Sequence, residues 1–152
     1  MLSHKSKYAL KALIALSEEY GKGPLLISDI ARRQGIPRRF LEIILLELKM
    51  QGFLRSKKGK GGGYELSKPP AQISVGKVMR TLEGPIAPLP CVSKTAYERC
   101  KDCPDEASCG VRILMKQVRD AIATILDSTT FEDVIQNSRV VRRGPAALVY
   151  SI

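Results

Sequence analysis

The chain has 152 residues, 44% of them hydrophobic, with a formal net charge of +10. This length fits one compact domain, or one small domain with an appendage. No run of about 18 uncharged apolar residues is present to span a membrane, so we expect a cytoplasmic protein. His4 is the only histidine, and no Ser/His/Asp or Cys/His catalytic set can be assembled around it, which disfavours an enzyme. The lack of tryptophan and the 5% aromatic content also disfavour a protein that stacks the bases of single strands.

The charge is distributed unevenly along the chain. Residues up to Arg80 include 16 basic and 6 acidic side chains, whereas the remainder holds 9 of each. Clustered Lys and Arg are typical of a module that binds a polyanion such as nucleic acid. A merely solubilising surface would give the same charge, so the underlying pattern must decide between the two.

The first third of the chain predicts a helix-turn-helix. Apolar residues recur at steps of three and four over Ser6–Glu19, which indicates a first helix. A short second helix follows, capped by Ser28 or Asp29 and ended by Gly35 in the left-handed conformation. The third helix, Arg38–Gln51, and the glycine turn before it complete the motif. Its predicted core face consists of Phe40, Leu41, Ile44, Leu45 and Leu48.

A β-hairpin is predicted directly after these helices. The strands are Phe53–Lys58 and Tyr64–Ser67, and the segment Gly59–Gly63 between them forms a basic, glycine-rich, flexible tip. A nucleotide-binding loop is excluded because no Gly-Lys-Ser/Thr follows a strand and opens a helix here. A basic hairpin can be a merely soluble one, but its position next to a helix-turn-helix favours a DNA-binding wing.

The second half of the chain predicts a linker and a long helix. Ile73–Met79 leads into a short helix, and the three prolines of residues 84–90 mark the linker. From Cys109 to Leu126, apolar residues alternate steps of three and four, the spacing of a coiled-coil seam between two copies of the chain. An ordinary core stripe has the same spacing. A short last helix is predicted over Phe131–Gln136.

The predicted fold is therefore mainly α with a small β-hairpin wing. The predicted parts are a winged helix-turn-helix domain (1–83), a cysteine-containing loop (84–109), a dimerisation helix with a short C-terminal helix (110–137), and a tail (138–152). The tail has no strong pattern, and fraying is the default expectation for it.

The second helix of such a motif enters the major groove of DNA, while the wing reaches phosphates or the minor groove. Arginine bridges guanine and a carboxylate accepts from cytosine, so Glu42 is a candidate selectivity residue. Glu42 could equally just balance Arg38 one helical turn before it. The predicted DNA-binding residues are Ser28, Arg38, Arg39, Glu42, Lys57, Lys58, Lys60, Gly61 and Tyr64.

Four cysteines, Cys91, Cys100, Cys103 and Cys109, fall within nineteen positions. Cytosolic thiols are kept reduced and thiolates are soft ligands, so a metal or iron–sulfur site is predicted ahead of disulfides. Structural zinc is the closest alternative, although only Cys100 and Cys103 have the paired spacing that zinc sites generally use. An iron–sulfur cluster tolerates more irregular spacing. A flexible loop with a redox-sensitive pair such as Cys100 and Cys103 is the third possibility.

Several motifs together resemble the IscR/NsrR/CymR-type family of bacterial winged-helix transcriptional regulators, over about residues 1–136. They are Tyr8-Ala9-Leu10, Ile27–Ala31 continuing through Gln34–Pro37, Phe40-Leu41-Glu42, and Gly59–Tyr64. The resemblance implies a homodimer that binds a palindromic DNA operator. It also implies, for many members, a 2Fe–2S or 4Fe–4S cluster that senses iron–sulfur status, redox state or nitric oxide. Other members, the regulators of cysteine metabolism, carry no cluster.

The resemblance also indicates which cysteines bind a cluster. The three cysteine ligands of the family match Cys91, Cys103 and Cys109. Arg112 stands where one member has a histidine ligand, and no acidic residue occurs at the start of the first helix, where another member has one. We therefore expect Cys100 to complete an all-cysteine site, with His4 of a second protomer as a weaker candidate.

Binding of a cluster by these cysteines could then fix the orientation of the two DNA-binding domains of the dimer. Two alternatives stay open. One is a cluster-free regulator of the same family that responds to a metabolite or acts as a thiol switch, and the other is a small zinc-stabilised interaction protein.

Overall fold

The computed structural model describes residues 2–144, which form six α-helices and one two-stranded antiparallel sheet, as the sequence predicts. The helices are α1 (His4–Glu18), α2 (Ile27–Gln34), α3 (Arg38–Met50), α4 (Val75–Glu83), α5 (Gly110–Ser128) and α6 (Phe131–Arg143). The strands are β1 (Leu54–Lys57) and β2 (Gly63–Leu66). Two 3₁₀ turns cover Pro70–Gln72 and Pro90–Val92, and we call the second one the Cys91 turn. This is the predicted winged helix-turn-helix with a long additional helix.

The chain divides into two compact units. The first consists of the residues up to Ile73 together with those from Thr130 onward, and the second is Ser74–Thr129. In this division α4 lies in the second unit and α6 in the first, and the functional boundaries given above stay predictions.

The first unit is built around α1. This helix contacts α2, α3 and α6, and its buried alanines allow the neighbouring helices to approach closely. Each fully buried leucine or phenylalanine of such a core stabilises the fold by about 1.5–3 kcal/mol. The fully buried large side chains here include Leu13, Ile30, Leu41, Leu45, Leu48, Leu66 and Phe131.

The helix-turn-helix forms largely as its sequence pattern predicts. Gly35 ends α2 with φ +61° and ψ +40°, the left-handed conformation that a glycine adopts without strain. The start of α2 was predicted wrongly: its N-cap is Leu26, and neither Ser28 nor Asp29 caps it. The helix begins earlier because Leu25, just before it, is held in a β-bridge, and Asp29 pairs with Arg32 instead.

One predicted core residue of α3 is also corrected. Leu41, Ile44, Leu45 and Leu48 are buried, but Phe40 is 55% exposed. At about 100° per residue, Phe40 lies at the edge of the buried stripe, where α1 does not cover it fully.

The second unit consists of α4, the Cys91 turn and α5. Gly76 of α4 lies so close to Asp127 of α5 that an added Cβ would collide with the carboxylate. Arg80 donates two hydrogen bonds to the same carboxylate, at 2.5 and 2.9 Å, and this contact lowers the pKa of Asp127. The helices α4 and α5 are therefore joined by a close approach and a bidentate ion pair.

The last helix is longer than its sequence pattern indicates. α6 continues from Phe131 to Arg143, seven residues beyond the predicted end of the last helix at Gln136. It continues because it packs against α1, and Arg142 reaches Glu18 at 3.5 Å. The rest of the predicted tail, residues 145–152, lies outside the described residues.

Candidate nucleic-acid interface and cysteine loop

A basic groove lies between the start of α2, α3 and the wing. It encloses about 380 Å³ and is lined by five of the nine residues predicted to bind DNA: Ser28, Arg38, Lys57, Lys58 and Tyr64. Arg39, Glu42, Lys60 and Gly61 are exposed but do not line this groove. The structure therefore brings together residues from three elements that are separated by up to 36 positions in the sequence.

The first turns of α3 carry charge toward solvent. Arg38 Nε donates to Glu42 Oε1 at 3.2 Å, and both side chains are at least half exposed. An exposed pair of this kind adds little stability, at most about 0.5 kcal/mol. Arg38 is therefore free to exchange Glu42 for a base or phosphate at small cost.

Lys49 also lines the basic groove, although it is not among the nine residues predicted to bind DNA. Its Nζ donates to Ser56 Oγ of β1 at 2.6 Å. A signal was present, since Lys49 follows Arg38 by eleven residues, about three helical turns, and so lies on the same side of α3. The bond also joins the end of α3 to the first wing strand.

The wing is fixed to the helix-turn-helix through its backbone. Leu54 and Lys57 of β1 pair with Leu66 and Gly63 of β2. Gly63 passes so close to the Leu25 carbonyl that a Cβ there would collide with it, and its φ of +137° is one that other residues rarely adopt. The glycine-rich motif is thus needed for the position of the wing.

The cysteine loop lies in the second unit. Cys91 is buried in the Cys91 turn, Cys100 is exposed, and Cys103 and Cys109 are half-buried. Cys91 and Cys100 line one cavity of about 210 Å³ together with Glu98, Arg99 and Lys101. Cys103 and Cys109 do not line this cavity, although the Cys103 N–H donates to the Cys100 carbonyl at 3.3 Å.

The Cys100 thiol donates to Asp102 Oδ1 at 3.1 Å. This hydrogen bond, together with the negative charge of Asp102, raises the pKa of Cys100 above its usual value. The contact with Asp102 therefore favours the protonated form of Cys100 over the thiolate. A metal ion that binds it must displace a proton.

The chemistry of the donor set fits a thiophilic metal or cluster, because four thiols lie on one loop of one unit. Within residues 2–144, however, no three Cys, His, Asp or Glu side chains are gathered closely enough to hold a metal ion. The other proposed ligand, His4, is in the first unit, where its ring centroid lies 6.2 Å from that of Tyr8. Arg112, in the place of the histidine ligand, donates to the Cys91 carbonyl at 3.3 Å.

A glycine-ended helix-turn-helix, a wing fastened beside it and a basic groove between them define a winged-helix DNA-binding protein. The Rrf2 family, described as iron-dependent transcriptional regulators, matches residues 2–137. The chain therefore belongs to the Rrf2 family of transcriptional regulators, and it is not an enzyme.

Relatives agree with this assignment. The chain is 45% identical to an rrf2-like HTH-type transcriptional regulator of Rhodobacter capsulatus over 138 residues, which cover 89% of this chain and 92% of the relative. The structure of CymR, the global cysteine regulator of B. subtilis, superposes with a TM-score of 0.76 at 34% identity and covers 90% of this chain and 97% of that one. The structure of T. potens IscR superposes with a TM-score of 0.75 at 26% identity and covers 99% of this chain and 96% of that one. Within residues 2–144 no helix has the length and apolar character needed to cross a membrane.

Proposed function

We propose that the protein is a homodimeric transcription factor whose binding to a palindromic operator is controlled by an iron–sulfur cluster. The ligands are Cys91, Cys103, Cys109 and, as the fourth, Cys100. The cluster senses iron–sulfur status, redox state or nitric oxide. A regulator of this kind acts in the cytoplasm, where the DNA is.

The observation that carries the proposal is the place of the four thiols. All of them precede α5 within one compact unit, and this unit also presents an exposed apolar stripe. The stripe runs along α5 at the spacing of a dimer seam, with Val111 59% and Ile125 64% exposed. A ligand bound by the loop would therefore act on the unit that joins two protomers.

The residues of this chain have distinct tasks in the proposed mechanism. The basic groove holds phosphates through Lys57 and Lys58, and Arg38 reads a base edge. The α5 stripe sets the separation of the two winged helix-turn-helix domains of the dimer, and this separation must match the spacing of the operator half-sites. A bound cluster would join the cysteines and so limit the conformations of the loop next to α5.

The similarity to CymR favours a second candidate, a cluster-free regulator of the same family. In this alternative the thiols act as a redox switch or bind zinc. The cavity of about 210 Å³ suits this candidate, since Cys91 and Cys100 both line it. A small zinc-stabilised interaction protein is disfavoured by the basic groove.

The test is a visible absorption spectrum of protein purified without oxygen, with iron, sulfide and zinc assayed on the same sample. We expect broad absorption near about 400 nm with stoichiometric iron and sulfide. Colourless protein with zinc, or with no metal after reconstitution, would contradict the cluster and favour the alternatives.

Variants then identify the fourth ligand. Cys109→Ala is expected to lose the cluster. Cys100→Ala is expected to change its spectrum and to shorten its lifetime in air. A Cys100→Ala protein with the full wild-type spectrum would show that Cys100 is not a ligand. Operator affinity, measured on cluster-loaded and metal-free protein at one salt concentration, completes the test.

A further inference from the structure

The helix α5 has two different long faces. One carries the exposed apolar stripe, while the face turned about 100° away carries Arg112 and Arg119, seven residues or two turns apart. Arg119 is the one buried residue of α5 and is 8% exposed. A buried arginine is costly unless all its donors are matched, so its partners indicate what it does.

Both arginines donate to the Cys91 turn. Arg112 Nε lies 3.3 Å from the Cys91 carbonyl oxygen, and Arg119 Nη1 lies 2.5 Å from the carbonyl oxygen of Val92. These are consecutive carbonyls of the same turn. Asp120 accepts from Arg119 Nε at 2.9 Å and from its Nη2 at 2.5 Å, which fixes the plane of the guanidinium. We call Arg112 and Arg119 the arginine clamp.

The arginine clamp holds the backbone at Cys91, whose thiol is one of the proposed cluster ligands. Cys91 is only 7% exposed and lines the cavity of about 210 Å³ described above, so a group added to its thiol must either fit in that cavity or displace the backbone of the turn. A shift of the turn moves the two carbonyls away from their donors. Breaking a buried hydrogen bond to a charged group is unfavourable, so α5 is expected to follow the turn or to lose the bonds.

We propose that Arg112 and Arg119 are positioning residues that transmit the chemical state of the Cys91 thiol to α5 and its exposed apolar stripe. The proposal rests on the proposed function in treating Cys91 as a regulatory thiol. In this proposal Arg112, which stands in the place of a histidine ligand, holds the backbone of the Cys91 turn and does not bind a cluster. The link consists of the two hydrogen bonds from α5 side chains to consecutive carbonyls of the Cys91 turn, within one compact unit.

The test uses the full chain with Cys100, Cys103 and Cys109 replaced by alanine, so that Cys91 is the only thiol. Methyl methanethiosulfonate caps it: the Cys91 thiolate attacks the reagent sulfur, an S–S bond to a methylthio group forms, and methanesulfinate leaves. Mass spectrometry establishes complete capping, and dithiothreitol reverses it. Hydrogen exchange of residues 110–128 is measured before capping, after capping and after reversal.

With the clamp intact, capping is expected to raise exchange in α5 by about tenfold or more, as loss of one buried bond would. In the double variant Arg112→Gln with Arg119→Gln, hydrogen exchange of α5 is expected to be faster than in the parent before capping. Capping should then change it by less than about twofold. Arg112→Gln alone, which keeps the buried Arg119, should give an intermediate response and serves if the double variant does not fold. Lys116→Gln, exposed on the same helix, is the matched control and should respond like the parent.

An equal response with and without the clamp, or no response in the parent, would overturn the proposal. The outcome is independent of cluster binding, because the experiment uses metal-free protein. Wild-type protein that binds no cluster would contradict the proposed function, while the capping result would still decide the role of the clamp.

Discussion

Leu25 and Tyr64 exchange two backbone hydrogen bonds, each 2.8 Å long, which join the second wing strand to the segment that leads into α2. This bridge places the wing and the helix-turn-helix in one fixed arrangement. Gly63 permits it, because its missing side chain leaves room for the Leu25 carbonyl.

Gly63→Ala is therefore expected to lower operator affinity by about tenfold or more, equal to about 1.4 kcal/mol. It should also lower the free energy of unfolding by about 2–4 kcal/mol, from the collision together with the unfavourable φ. Gly21→Ala is the control, since its φ is +84° but its added methyl meets nothing. Urea unfolding measures the free energy of unfolding, and fluorescence anisotropy measures operator affinity. Equal losses in the two variants would show that the close approach of Gly63 to the Leu25 carbonyl does not matter.

Lys57→Gln with Lys58→Gln is expected to weaken binding to every duplex tested. If both side chains contact phosphates, the slope of log K against log salt should become less steep by about two, because each contact releases about 0.9 counterion. Lys116→Gln on α5 carries the same type of charge change and should leave the slope unaltered. An unchanged slope in the double variant would mean that these lysines only solubilise the wing.

Glu42→Ala separates the two hypotheses for this carboxylate. The pair with Arg38 at 3.2 Å restrains the arginine, and the carboxylate repels phosphates placed wrongly. Its loss is expected to raise affinity for unrelated duplexes and to lower discrimination at one base pair by about 1–3 kcal/mol. Selection from a randomised duplex library measures both. If the selected sequences match those of wild type and of the control Glu132→Ala, Glu42 merely balances charge.

Leu114→Glu and Ile125→Glu place a charge on the exposed stripe of α5. If this stripe is the seam between two protomers, each variant should be monomeric at concentrations where wild type is a dimer, since an unpaired buried charge is costly. Sedimentation velocity measures the state, and circular dichroism measures helix content. Lys116→Glu lies on the opposite side of the same helix, is exposed, and should stay dimeric. A dimeric Leu114→Glu protein would place the seam elsewhere.

The start of α6 is expected to make stability depend on pH. Thr130 Oγ1 accepts from the Asp133 N–H at 3.2 Å, while the Asp133 carboxylate accepts from the backbone and hydroxyl of Thr130, both at 2.8 Å. These bonds lower the pKa of Asp133. Its contribution is therefore complete above about 3.9, the pKa of an unfolded aspartate, and is lost as pH falls through the lower folded-state value.

Thr130→Ala is expected to lower the free energy of unfolding by about 1 kcal/mol at neutral pH. Asp133→Asn should also be destabilised there, and its difference from wild type should shrink below about pH 4. Glu132→Gln removes a carboxylate from the same helical turn without touching the cap and serves as the control. A difference between Asp133→Asn and wild type that is constant from pH 3 to 7 would contradict the capping explanation.

The sequence predicted the local elements well where a backbone rule applies. Gly35 had to be left-handed to turn α2 into α3, and it is. Phe40 shows the limit of such rules, because it continues the apolar spacing of α3 and yet is 55% exposed. Periodicity reports which side of a helix is apolar, but a packing partner decides where burial stops.

The cysteine loop shows a second limit. Spacing placed four thiols within nineteen positions, but spacing does not fix where irregular backbone carries each side chain. In the structure Cys91 and Cys100 share a cavity while Cys103 and Cys109 do not line it. The roles of Arg112 and Arg119 were likewise hidden, because hydrogen bonds to carbonyls 21 and 27 residues away leave no periodic signal.

The sequence by itself determined the helix-turn-helix, the basic hairpin, the uneven charge and the apolar spacing of α5, since each follows from local conformation and composition. Only the tertiary structure decided that Lys49 joins the basic groove, that Gly63 is required by a neighbouring carbonyl, and that α6 packs on α1. These features depend on contacts between residues distant in sequence, and such contacts are set by packing and not by local pattern.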